Sequence, residues 1–113
     1  MADIIQLADQ LGKAIGTSAQ ATAMRDARQA VEAQPELRKA LNEYQTQVNK
    51  IAQLEHDRKP VEPQDKQKLQ TLHDRLVSDP AFKRLTEAQM EYVELLRKVN
   101  QAVRQQLHAT EGQ

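Results

Sequence analysis

The residues most able to do chemistry are three histidines set among carboxylates. His56 stands in Glu55-His56-Asp57-Arg58, His73 is followed by Asp74, and His108 lies close to the C-terminal end. A metal centre built on a helix needs ligands three or four residues apart on one face, as in His-x-x-x-His or Glu-x-x-His. Neither pattern occurs. Adjacent helical residues point about 100° apart, so Glu55-His56 and His73-Asp74 do not converge on an ion. The histidines read as solvated surface groups, with a partly buried, hydrogen-bonded place open to His73 beside Leu69, Leu72 and Leu76. The chain has no cysteine, which excludes disulfides, thiol catalysis and cysteine-ligated zinc or iron–sulfur centres. Gly12-Lys13-Ala14-Ile15-Gly16-Thr17-Ser18 contains the residue types of a phosphate loop without its spacing or a preceding strand. No serine sits in a nucleophile elbow. The expectation is a protein that is not an enzyme, with no catalytic residues, no metal site and no cofactor.

Phosphate contact is the other chemistry the residue types allow. Arg38-Lys39, Arg58-Lys59, Lys83-Arg84 and Arg97-Lys98 are basic pairs. Carboxylates lie at helix-neighbour distances, as with Lys83 and Glu87 or Arg97 and Glu94. The pairs therefore read as solvated faces laced with weak ion pairs. Lys and Arg total 16 and Asp and Glu total 16, so no net charge draws the chain to nucleic acid. Tyr44, Phe82 and Tyr92 are the whole aromatic set, too few for a base-stacking platform.

The elements that carry these residues are helices. The 113 residues include three glycines and four prolines, and Ala, Gln, Leu, Lys, Arg and Glu dominate. Those side chains lose little freedom in a helix. The expected fold class is all-α: a bundle of about five helices in a single domain over residues 1–113. Residues 2–15 predict a first helix, with Ile4, Ile5, Leu7, Ala8, Leu11 and Ile15 as its apolar side. Gly16 is a natural stop and Ser18 a natural N-cap. Asp3 and Asp9 interrupt the apolar residues, so this segment reads as a helix and not as a signal peptide. Residues 19–33 predict a second helix whose inner side is small: Ala19, Ala23, Met24, Ala27, Ala30 and Val31.

Pro35 opens a long third helix to about residue 58. Leu37, Leu41, Tyr44, Val48, Ile51 and Leu54 or Glu55 repeat at coiled-coil-like spacing along it. Lys59-Pro60-Val61-Glu62-Pro63 predicts the tip of a hairpin. A fourth helix over about 64–78 turns Leu69, Leu72, Leu76 and Val77 inward. Asp79-Pro80 starts a final helix over about 80–107, with residues 108–113 as a frayed tail. Phe82, Leu85, Tyr92, Leu96, Val99 and Val103 line one face of it. AQPELRKAL (33–41) echoes SDPAFKRLT (78–86), so each half reads as a short helix, a proline break and a long helix. Sharp reversals and kinks at Pro35 and Pro80 satisfy the same stereochemistry.

Length argues for association. A compact chain of this size has a radius of gyration of about 13 Å and a diameter of about 35 Å. The two long helices span about 36 and 42 Å, and the three short ones about 20–24 Å each. The short helices cannot sheath both rods, and an uncovered apolar seam marks a partner surface. The expectation is a homodimer or higher oligomer that meets through Leu41, Tyr44, Val48, Ile51, Tyr92, Leu96, Val99 and Val103. No stretch is apolar enough to span a membrane, and a cytoplasmic location is expected.

The pattern as a whole resembles the YlbF/YmcA family of small helical bacterial proteins, including its YheA-like branch. The likeness covers about residues 2–107. It is carried by ADIIQLADQLGKAIGTS, the proline-marked PELRKALNEYQTQVNKIAQLE, a polar loop, and DPAFKRLTEAQMEYVELLRKVNQ. The resemblance implies an all-helical oligomer without catalytic activity, associated with control of competence, sporulation and biofilm formation. Some members act as accessory factors in a complex that modulates RNA processing by a membrane-anchored ribonuclease. Certain members carry iron–sulfur clusters on cysteines, and this cysteine-free chain does not inherit that cofactor. The resulting expectation is a non-enzymatic helical adapter or regulator acting through protein–protein contacts. Direct RNA binding through the basic pairs is the alternative, and a metal-dependent enzyme using His56 or His73 stands behind it.

Overall fold

The computed structural model describes residues 3–111. Among them are five α-helices and no strand: α1 (Ile4–Gly16), α2 (Ala19–Glu32), α3 (Pro35–His56), α4 (Pro63–Val77) and α5 (Pro80–Glu111). The all-α class expected from composition and periodicity is the class found. Ala2, expected to begin the first helix, and residues 112–113 of the expected tail lie outside the described residues.

Local chemistry sets the helix ends. The Asp3 backbone N–H donates to Gln6 Oε1 at 3.3 Å at the start of α1. Ser18 caps α2 as its position predicts, because its Oγ accepts from the Ala21 N–H at 3.1 Å. Pro35, Pro63 and Pro80 each take the first position of a helix, where a missing N–H costs nothing. Asp79 Oδ1 accepts from the N–H groups of Ala81 at 2.8 Å and Phe82 at 3.4 Å, closing the start of α5. Each of these three prolines thus opens a new helix.

Two ends differ from expectation. α3 stops at His56, short of residue 58, because Arg58 adopts a left-handed backbone with φ of 58°. The Lys59 N–H then reaches back to the Leu54 carbonyl at 2.8 Å and the Arg58 N–H to Glu55 at 3.1 Å. This is the Schellman pattern, with arginine where glycine is usual. α5 continues past Leu107 through His108, Ala109, Thr110 and Glu111, and Thr110 Oγ1 donates to the Gln106 carbonyl at 2.9 Å.

The described residues group into two compact units. Residues 28–84 form one, holding the end of α2, all of α3 and α4, and the first turn of α5. Here α3 and α4 pack against each other. Arg75 meets Glu36 and Asp65 meets Lys50, an order that makes the pair antiparallel. Leu37 and Ala40 from α3 and Leu72 and Leu76 from α4 are buried, as is Val31 near the end of α2. Leu76 is the largest fully buried side chain, worth roughly 1.5–3 kcal/mol of apolar burial.

Residues 3–27 with 85–111 form the other unit: α1, most of α2, and α5 from Leu85 onward. Its buried residues are Ala21, Ala27, Leu85 and Ala88. Alanine dominates that set, so this unit has little large-side-chain core of its own. No residue of α1 is buried.

Candidate interaction surface

The histidines form no reactive cluster. His73 Nδ1 lies 3.5 Å from the carboxylate of its neighbour Asp74, and its ring sits 6.3 Å from that of Tyr44 in a tilted arrangement. His108 faces Glu111 at 3.8 Å on the exposed end of α5. His56 closes α3, where a basic group suits the negative end of the helix dipole. Among the described residues no group of three His, Cys, Asp or Glu side chains is placed to hold a metal ion. No helix among them is long and apolar enough to cross a membrane.

Among the basic pairs, Arg97 is held by a carboxylate. Arg97 makes a two-point contact with Glu94, at 2.6 and 2.9 Å, and a further bond to Gln101 at 3.3 Å. Arg97 holds the Glu94 carboxyl below its ordinary range, and Glu94 raises Arg97 in return. Lys83 and Glu87, the other expected pair, do not approach within ion-pair distance. Arg38 and Lys39 share a shallow, open depression with Lys68 of α4, and Glu43 lies in the same lining.

One polar cluster ties the α3–α4 pair together, and its key member escaped sequence reasoning. Gln47 is only 3% exposed. Its Nε2 donates to the Asp65 backbone carbonyl at 2.9 Å. Asp65 Oδ1 accepts from Lys50 Nζ at 2.8 Å, and Oδ2 accepts from the Glu62 N–H at 3.3 Å. Asp65 therefore serves as both the capping-box partner of α4 and the anchor of α4 on α3. The Lys50 ammonium, bonded to it, holds its carboxyl below the usual carboxylate value against an opposing push from partial desolvation. The one available signal was position. Gln47 lies three residues after Tyr44 and four before Ile51, on the seam itself.

The apolar seam residues divide by degree of cover. Leu41, Tyr44, Val48 and Ile51 on α3 are half-buried. Tyr92, Leu96 and Val99 on α5 are also half-buried, whereas Val103 is exposed. From residue 102 to residue 111 every side chain of α5 is exposed. The largest apolar exposure lies elsewhere, on α1, where Ile4 is 79% exposed and Ile5, Leu7 and Leu11 are exposed as well. Met90 and Val93 on α5 are bare too. Sequence periodicity identified this α1 face as apolar.

A family model described as "Control of competence regulator ComK, YlbF/YmcA" matches residues 4–108. No curated protein matches the chain.

Proposed function

The chain belongs to the YlbF/YmcA family, and from that premise we propose that it is a non-enzymatic, cytoplasmic regulator that works by protein–protein contact as a helical oligomer. The observation that carries this reading is the run of large apolar side chains left exposed on α1 and α5. Such surface is costly in water, and its usual use is association. Two faces are proposed for contact, each within its own unit: Leu41, Tyr44, Val48 and Ile51 on α3, and Tyr92, Leu96, Val99 and Val103 on α5. Helix faces of this kind recognise other helices through side chains three and four residues apart. The family description points to developmental control, with competence as the named output. The balance of 16 Lys and Arg against 16 Asp and Glu favours a protein partner over RNA.

The test compares proteins retained from a bacterial lysate by the immobilised wild-type chain, Val48→Glu and Val99→Glu. A protein of competence or developmental control held by the wild type and lost by either variant supports the reading. Identical retention by all three chains, or none by the wild type, overturns it.

A further inference from the structure

The α3–α4 pair carries more cations along its junction than its own fold uses. Two of them tie the helices together: Lys50 meets Asp65 at 2.8 Å and Arg75 meets Glu36 at 3.7 Å. Three others do not. Arg38 and Lys39 of α3 and Lys68 of α4 are exposed, and no carboxylate among the described residues lies within ion-pair distance of them. They line one open depression with Asn42, Thr46 and the half-buried Glu43. The register of the pair brings them together. Gln47 bonds the Asp65 carbonyl, and one turn further along the antiparallel pair Lys68 comes level with Glu43. Like charges gathered in one place repel, so the fold gains nothing from holding these three together.

We propose that this α3–α4 depression is a docking site for an acidic segment of a partner protein, an extended stretch with carboxylates at both ends. The proposal rests on the protein-partner reading above and adds a polar site to the apolar faces named there. It lies within the unit of residues 28–84 and on another side of α3 from Leu41, Tyr44, Val48 and Ile51.

Charge complementarity carries the choice of occupant. Three cations against one carboxylate make a positive local field on a chain whose total charge balances. Arg38 offers a planar fork that takes a carboxylate at two points. The length suits an extended peptide. Arg38 to Thr46 covers about 12 Å along α3, which an extended chain spans in about four residues. Carboxylates that far apart meet Arg38 and Lys39 at one end and Lys68 at the other. Between them Asn42 and Thr46 supply donors and acceptors for the peptide backbone. Glu43 weighs against a nucleic acid. A phosphodiester chain sets a negative charge at every link, including the link facing Glu43, whereas a peptide N–H bonds that carboxylate. No aromatic side chain lines the depression to stack a base.

The experiment measures fluorescence anisotropy of a labelled oligoglutamate peptide, at low ionic strength, with the full wild-type chain and with Arg38→Glu, Lys68→Glu and Lys59→Glu. All three side chains are exposed, so the variants should keep their helices, which circular dichroism checks. Lys59→Glu makes the same change in net charge beyond the far end of α3. The expected result is binding that weakens with added salt, falls about fivefold or more in Arg38→Glu and Lys68→Glu, and changes less than about twofold in Lys59→Glu. No binding by the wild type overturns the proposal, as does an equal loss in all three variants, which marks unspecific attraction. Labelled oligouridylate bound more tightly than the peptide, and lost on the same two reversals, overturns it in favour of a nucleic-acid site. A chain that ignores the peptide while Val48→Glu still loses a partner from the lysate would sink this site and leave the regulator reading standing.

Discussion

At the scale of single residues, Asp65 does more than any other side chain. It accepts from Lys50, from the Glu62 N–H and, through its backbone carbonyl, from Gln47. Its carboxyl is held below the ordinary value, so the folded state favours the ionised form. The sign follows directly. The contribution is full above the unfolded value of about 3.9 and is lost as pH falls through the lower folded value. Asp65→Asn should therefore be less stable than the wild type at neutral pH, with the gap closing below about pH 4. Urea midpoints measured across that range check it, and a gap independent of pH would contradict it. Gln47 shows why such a cluster resists sequence reading. A glutamine on an apolar stripe looks like an exposed edge, and only the approach of α4 supplies the carbonyl it bonds.

At the scale of elements, helix boundaries follow from local rules wherever proline, serine or aspartate sets them. Pro35, Pro63, Pro80, Ser18 and Asp79 all act where their chemistry predicts. The end of α3 was less legible, because a left-handed arginine has no sequence signature. A non-glycine residue in that region carries about 1–2 kcal/mol of backbone cost. Arg58→Gly removes it, and the added freedom of glycine in the unfolded chain returns about 0.4–1 kcal/mol. A net gain of about 0.5–1 kcal/mol is expected by urea denaturation. A loss of stability would mean that the Arg58 side chain itself holds the turn. The α4–α5 junction echoes the α2–α3 junction in its proline and in its buried pairs. Ala27 and Val31 correspond to Leu72 and Leu76, so part of the internal repeat survives as a pattern of burial.

At the scale of the whole molecule, most of the large-side-chain core lies in the unit of residues 28–84, and every bare large apolar side chain except Val77 lies in the other. The two should respond differently to mutation. Leu76→Ala removes a fully buried side chain and should cost about 2–5 kcal/mol at any protein concentration. Leu11 is exposed, so Leu11→Glu should leave the single chain's stability nearly unchanged. Self-association, as proposed, makes the wild-type thermal midpoint rise with concentration by mass action, and Val99→Glu weakens that dependence. Scanning calorimetry over a hundredfold range of concentration reads both effects.

Periodicity, proline placement and capping residues by themselves determined the all-α class, the five helices and most of their limits. These depend on interactions within a few residues along the chain. The same residues also ruled out thiol and cysteine–metal chemistry and carried the family likeness. Only the tertiary structure decided which apolar faces are covered. Leu72 and Leu76 are buried while Leu7 and Leu11 stay exposed, although both pairs repeat at the same helical spacing. The physical reason is that periodicity reports which side of a helix is apolar, whereas cover depends on which other helix comes near it. That choice is made between segments distant in sequence, and among the described residues it leaves no side chain of α1 buried.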